Sequence, residues 1–453
     1  MSVVRFPPAP KFARTPDIDP GQCPGSSFLF KSFHVFRHSF ARPAREGLEN
    51  GRDSRRRQQD QENGEGIRVA HRRRLHGRPV RKDRGCRESV RAESPDRGEE
   101  EDPRSRRSRL SAAGETTVRV IRTFRDHMES ALYDPESGFY CARARTADFY
   151  TAPELHPAFG AVLADRIASL LERVRSARPG EGLCLVEAGC GDGTLACQVA
   201  RRLREKHPQL CKGLRFALVD RTRRDLTDAA RMLTAFGLQV DACTGLDRLP
   251  RFTGVLYSNE LIDALPAHLL QKEEGEVREV YVDRSGRETL GPLSRPELER
   301  VAGAIAEALS EGERHGVSLE ARAWIGEVSA RLAAGFVLSV DYGKRFAPDS
   351  PNPPRAYRRH SIETELSSEP GQKDITLPAD FEALVRTGEQ AGLELESYQS
   401  LSRFLMEGGI DAWLAAASGD MASLYKERAQ IKTLVHPEGM GESFKVLIQR
   451  KSI

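Results

Sequence analysis

The segment Glu187-Ala-Gly189-Cys-Gly191-Asp-Gly193-Thr194 constrains this chain more than any other. It follows the short apolar run Leu183-Cys-Leu-Val-Glu187, which is bounded by glycines as a buried parallel strand would be. A stretch of helical spacing, 194–206, comes directly after it. Glycines at a strand-to-helix turn let the backbone approach a ligand closely, and the helix N-terminus beyond them favours a carboxylate or phosphate. A dinucleotide fingerprint would need glycine where Thr194 stands, which disfavours a nicotinamide enzyme. A glycine-rich turn with no ligand is the competing reading.

Around this loop the chain alternates. Helix 194–206 precedes a strand at 214–219, helix 222–236 precedes a strand at 238–242, and a strand at 254–258 follows. That alternation predicts an α/β fold with a doubly wound parallel sheet. Upstream, apolar residues at helical spacing (Val118, Ile121, Phe124, Met128, Leu132) predict a helix over 118–132, and a second helix follows Pro157. Downstream the pattern predicts a hairpin (269–272 and 278–282), helices at 295–309 and 319–332 and a strand at 336–340. A long Pro-, Arg- and Ser-rich loop over 345–373 comes next, then a helix at 379–391, a strand at 393–398, a helical patch over 401–430 and a last strand at 444–449. The expected division is 1–113, 114–180, 181–268, 269–332 (an inserted hairpin and helices) and 333–453.

Composition narrows the functional classes. Lys+Arg 70 against Asp+Glu 66 leaves a net charge of +4, so nothing argues for a nucleic acid partner. The arginine runs lie in the first quarter, where 42–109 has scarcely an apolar run able to build a core, and residues 1–113 are expected to be disordered. Eight cysteines form no CxxC pair, and no His/Asp/Cys group stands at metal-ligand spacing. The longest apolar runs fall short of a membrane span. The expected location is cytoplasmic; the alternative is mitochondrial, because 1–45 is basic with Asp17 and Asp19 as its only acids.

Candidate ligand residues gather at strand ends. Asp220 closes Phe216-Ala-Leu-Val-Asp220, where a carboxylate can accept from ribose hydroxyls. The strand 254–258 empties into Asn259-Glu260-Leu-Ile-Asp263-Ala-Leu-Pro266, beyond its carboxyl end, where open α/β sheets bind ligands. Glu260 and Asp263 are three apart and share a face if the segment turns helically; alternatively Asn259 caps a helix and Asp263 is solvated. Tyr342, after the strand 336–340, either closes over a substrate or packs under the long loop.

The acid-preceded GxGxG spacing resembles the S-adenosylmethionine loop of class I methyltransferases. Several strings together resemble one family, the MidA-like methyltransferases, which includes a mitochondrial arginine methyltransferase of complex I assembly and bacterial relatives. They are Tyr133-Asp-Pro-Glu-Ser-Gly-Phe-Tyr140, Asp148-Phe-Tyr-Thr-Ala-Pro-Glu-Leu155, the glycine loop, Ser258-Asn-Glu-Leu-Ile-Asp-Ala-Leu-Pro266, Val340-Asp-Tyr-Gly343, Asp374-Ile-Thr376 and Met440-Gly441. The resemblance covers roughly 118–449 and implies a Rossmann-like core, with added helices and a hairpin over the acceptor site. It implies S-adenosyl-L-methionine as cofactor and a protein arginine as acceptor. By motif, Glu187, Gly189, Gly191, Gly193, Asp220 and Asn259 would hold the donor. Glu260 and Asp263 would face the acceptor, with Thr151, Pro153, Glu154 and Tyr342 nearby. One departure matters: the family tends to have Asp-Ile-Thr-Ala-His-Val-Asp-Phe, and here Pro378 replaces the histidine while Asp380 and Phe381 remain. A binding or assembly factor that kept the fold without turnover is the rival reading.

Overall fold

The computed structural model describes residues 121–141, 151–358, 361–416 and 420–453. The expectations for 1–113, for 118–120 and for Asp148–Tyr150 lie outside these residues.

Its centre is a sheet whose strands run, from one edge, Glu394–Ser400, Phe444–Lys451, Leu332–Lys344, Phe252–Asn259, Leu183–Ala188, Arg215–Val219 and Gln239–Cys243. All pairs are parallel except those made by Phe444–Lys451, which runs antiparallel to both neighbours. Leu183–Ala188 and Phe252–Asn259 are adjacent, and the chain winds away from them in opposite directions. Such a switch point opens a crevice beyond the strand carboxyl ends.

The period-two alternation of the strands feeds two cores. On one face Leu185, Phe216, Val255, Tyr257, Phe336 and Leu338 pack with helix residues such as Phe159, Leu163, Ile167, Val199 and Leu203. On the other, Val186, Ala217, Leu256 and Val337 pack with Ile325, Val328, Phe381 and Leu384. Two glycines let the central strands pair this closely. A Cβ added at Gly254 would lie 1.9 Å from the Cys184 carbonyl oxygen, and one at Gly335 would lie 1.8 Å from the Gly254 carbonyl oxygen.

Helices Thr194–Lys206, Arg223–Ala235 and Leu319–Arg331, the hairpin His268–Glu273/Glu276–Asp283 and the strands stand within a few residues of their expected places. Four expectations need correction. Residues Ile121–Thr123 are a strand, not the first turn of a helix, because they pair antiparallel with Tyr281–Asp283; the helix starts at Phe124, where Thr123 caps the Asp126 amide. The helix expected over 295–309 ends at Ile305. The helical patch is three helices, Leu401–Glu407, Asp411–Ala416 and Met421–Val435. The long loop contains strands Arg355–Arg358 and Ser361–Glu363, which form a small sheet with Asp374–Thr376. Its signal was masked by prolines and arginines; Ala356 and Ile375 nevertheless bury fully against Phe124, Met128 and Leu132. The hairpin belongs to a second sheet with Ile121–Thr123, Glu288–Gly291 and Arg314–Val317.

Candidate active site

The glycine loop adopts the conformations its composition permits. Gly189, Gly191 and Gly193 have φ of 73°, 50° and 83°, in the left-handed region that side chains with a Cβ disfavour. The Gly189 amide donates to Val219 O at 2.8 Å, and the Gly191 amide donates to Asp220 Oδ2 at 2.9 Å, tying the loop to the tip of the next strand. Asp220 Oδ1 accepts from the Thr222 amide at 2.8 Å and from the Thr222 hydroxyl. Glu187 is buried behind the loop, where Tyr257 donates its hydroxyl to Oε2 at 2.8 Å. Burial pushes its carboxyl up to about 8, against the pull of that hydrogen bond.

Beside the loop, in register with it, the strand Phe252–Asn259 ends: Ala188 lies opposite Ser258. Asn259 donates from Nδ2 to Glu260 Oε1 at 2.9 Å, while its own Oδ1 is buried with no hydrogen-bond partner, as is Ser258 Oγ. An orphaned acceptor beside a glycine cradle suits a ligand that brings a donor. Glu260 has φ 51°, a strained backbone for a residue with a side chain. Its amide donates to Val340 O at 3.0 Å, and its Oε1 also accepts from the Ala152 amide at 3.1 Å.

The segment after Glu260 is held by Asp341, which is fully buried. Asp341 Oδ2 accepts from the Leu261 and Ile262 amides at 3.1 and 2.7 Å, and Oδ1 accepts from the Tyr342 amide at 2.9 Å. Asp263 lies in the same turn, its carbonyl accepting from the Leu377 amide at 2.8 Å. Burial raises Asp263 well above the carboxylate range, helped by Asp341, Asp374 and Glu260. Burial also raises Asp341, against its backbone hydrogen bonds, and pushes Glu260 up to about 7. Among the described residues, no lysine or arginine forms an ion pair with Glu260, Asp263 or Asp341. No group of three His, Cys, Asp or Glu among the described residues could hold a metal ion.

Residues 162–399 match the family described as "Putative S-adenosyl-L-methionine-dependent methyltransferase". The chain belongs to it. This methyltransferase is similar to the mitochondrial protein arginine methyltransferase NDUFAF7 homolog of Drosophila melanogaster, at 26% identity over 84% of this chain and 95% of that one. It is similar to the mitochondrial protein arginine methyltransferase NDUFAF7 of Danio rerio, at 28% identity over 70% of this chain and 81% of the relative. Among solved structures it resembles a candidate methyl transferase from Burkholderia thailandensis bound to S-adenosyl-homocysteine. That likeness has TM-score 0.61 and 29% identity, and covers 73% of this chain and 88% of the other. The chain is an S-adenosylmethionine-dependent methyltransferase with a Rossmann-like sheet, and S-adenosyl-L-methionine is its cofactor.

The methyltransferase site also contains residues to which the sequence alone assigned no role. The Tyr133 hydroxyl donates to Ala264 O at 2.9 Å; its ring stacks with that of Tyr140 at 5.5 Å, and the Arg221 guanidinium lies 4.2 Å from the ring centre. Tyr140 donates to Asp374 Oδ1 at 2.8 Å. The signal for Asp341 was available: an aspartate directly after an apolar strand. For Tyr133 and Arg221 it was not, since their contact joins residues 88 positions apart. Thr151, Pro153 and Glu154 come to this site through a short helix, Ala152–Leu155. Glu154 Oε2 accepts from the Thr151 amide at 3.1 Å, and Pro153 O accepts from Gln198 at 2.9 Å. It is the Ala152 amide, rather than any of these three side chains, that touches Glu260. Tyr342 faces Arg355, which donates to its hydroxyl. Pro378 O accepts from Asn352 Nδ2 at 2.9 Å, and the retained pair is structural: Asp380 caps the helix Phe381–Gln390, and Phe381 is fully buried.

No described helix is long and apolar enough to cross a membrane.

Proposed function

We propose that this methyltransferase modifies a guanidinium nitrogen of a protein arginine, with Glu260 and Asp263 facing the acceptor. The observation that carries the reading is the group of carboxylates at Glu260, Asp263 and Asp341 with no basic partner among the described residues. Carboxylates withdrawn from water hold their charge only when a cation or enough hydrogen bonds compensate it. A planar guanidinium meets carboxylates in bidentate fashion. The relatives from Drosophila melanogaster and Danio rerio, named as protein arginine methyltransferases, support the same acceptor. Their names also favour a mitochondrial location for this chain over a cytoplasmic one.

On the donor side, Gly189, Gly191 and Gly193 would let the backbone meet the cofactor, and Asp220 keeps room on Oδ2 for a ribose hydroxyl. Asn259 Oδ1 would accept from the cofactor's ammonium group, and Glu187 would support the loop from behind. When bound, S-adenosylmethionine supplies an electrophilic methyl on a sulfonium. Glu260 and Asp263 orient the guanidinium so that a nitrogen lone pair points along the line of displacement. The nitrogen loses one proton in the transfer, and Glu260, in its ionised form, would accept it. Thr151, Pro153, Glu154 and Tyr342 would border the acceptor.

Two outcomes are expected. Gly191→Val forces a β-branched residue to φ 50°, and calorimetric affinity for S-adenosylmethionine is expected to fall by at least about tenfold while circular dichroism stays native. Unchanged affinity in a folded variant would remove the loop from the donor site. The acceptor step needs Glu260 ionised, and its carboxyl titrates at about 7. The kcat/KM for an arginine peptide should therefore rise with pH through about 7 and level off above it. A profile that falls over that range has the opposite sign and contradicts a carboxylate base.

A further inference from the structure

The small sheet formed by Arg355–Arg358, Ser361–Glu363 and Asp374–Thr376 has two unlike faces. Ala356 pairs with Ile375, and both are fully buried in the apolar core. On the opposite face, cross-strand partners put Arg355 beside Thr376 and Tyr357 beside Asp374. This is the face that meets the active site: Tyr140 bonds Asp374, and the Arg355 guanidinium bonds the hydroxyl of Tyr342 with its centre 5.3 Å from that ring. Tyr357 stands two residues along the same strand, on the same face as Arg355. Tyr342 directly follows Asp341, and its amide donates to Asp341 Oδ1 at 2.9 Å, so the residue that Arg355 holds is joined to the buried carboxylate.

Arg355 is half-buried, yet among the described residues no aspartate or glutamate pairs with it. The Tyr342 phenol occupies one of its N–H groups and leaves about four donors in a fixed fork. On the same face Thr376 Oγ1 is buried with no hydrogen-bond partner. A partly desolvated guanidinium held by a neutral phenol beside an unsatisfied hydroxyl is poised for a carboxylate it does not find within the described chain.

The geometry points to Arg355 as a specificity-determining residue that takes an aspartate or glutamate side chain flanking the methylated arginine of the acceptor. This rests on the arginine reading above: the carboxylates at Glu260 and Asp263 take the substrate cation, and Arg355 takes a neighbouring substrate anion. Thr376 Oγ1 would donate to the same carboxylate. No bond is made or broken here; the contact fixes which arginines are presented.

The test uses the full-length protein with synthetic peptides that hold one arginine in a neutral background. Glutamate, glutamine or lysine is placed at each of the three positions on either side. For the native protein, glutamate at one or more positions is expected to raise kcat/KM by about tenfold over glutamine, with lysine poorer than glutamine. Arg355→Gln should erase that preference, and Arg355→Glu should turn it toward lysine, with S-adenosylmethionine affinity unchanged in both. A native protein indifferent to glutamate against glutamine overturns the assignment without using any variant. A loss in Arg355→Gln that is equal for every peptide also overturns it, and shows that the residue only steadies Tyr342. Methylation of the peptides without any flanking preference leaves the arginine reading standing and sinks this one; no methylation of any arginine peptide sinks both.

Discussion

Glu260→Gln is expected to lower kcat by about two to four orders of magnitude while leaving S-adenosylmethionine affinity within a few-fold of native. The substitution keeps an amide oxygen where Oε1 now accepts from the Ala152 amide and from Asn259 Nδ2, so the local hydrogen bonds survive. What it removes is the charge that faces a guanidinium and the basicity that takes its proton. The backbone at Glu260 argues for the same role. A left-handed φ of 51° at a residue with a side chain costs about 1–2 kcal/mol, and glycine would relieve it. Keeping glutamate there makes sense if the strained turn aims the carboxylate. Single-turnover kinetics on a reactive arginine peptide, with calorimetry for the donor, separate the two effects. A kcat within about fivefold of native would move the proton acceptor to Asp263 or to solvent.

The largest stability effect is expected from Gly335→Ala. At this position φ is 141°, and the new methyl would lie 1.8 Å from the Gly254 carbonyl oxygen, a separation that no rotamer can relieve. Strand Leu332–Lys344 sits between two neighbours in the centre of the sheet, so it cannot slide without breaking pairing on both sides. A loss of about 4 kcal/mol or more follows, at the upper end of single substitutions. Urea unfolding followed by circular dichroism measures it. By contrast a Cβ at Gly180 or Gly303 meets nothing within 4 Å, so Gly303→Ala is the matched control, expected near neutral. If Gly335→Ala were as mild as that control, the close approach of the central strands would be wrong.

Much of this molecule was legible because its decisive signals are local. Helix Thr194–Lys206 is marked by the glycines before it and by its own apolar spacing, and Leu183–Ala188 by a run of apolar residues too short for a helix. The candidate carboxylates Glu260 and Asp263 were visible as a pair because the strand before them ends in polar residues. What escaped depends on pairing across the chain. Ile121–Thr123 has helical spacing and is pulled into a strand by Tyr281–Asp283. Arg355–Arg358 carries one buried residue, Ala356, among polar neighbours, and becomes a strand because Ser361–Glu363 and Asp374–Thr376 lie alongside. The contact of the Ala152 amide with Glu260 spans 108 positions and leaves no trace in either segment's composition. The burial of Asp341 without a basic partner among the described residues likewise depends on tertiary packing, which no single segment encodes.

The most direct test of arginine methylation is transfer of label from tritiated S-adenosylmethionine by the full-length protein to a pool of arginine peptides. Total acid hydrolysis and amino-acid chromatography follow. Label that co-elutes with methylarginine, with one S-adenosylhomocysteine formed per methyl, is the expected result. Label that elutes elsewhere, or none above a Glu260→Gln control, would contradict a guanidinium acceptor.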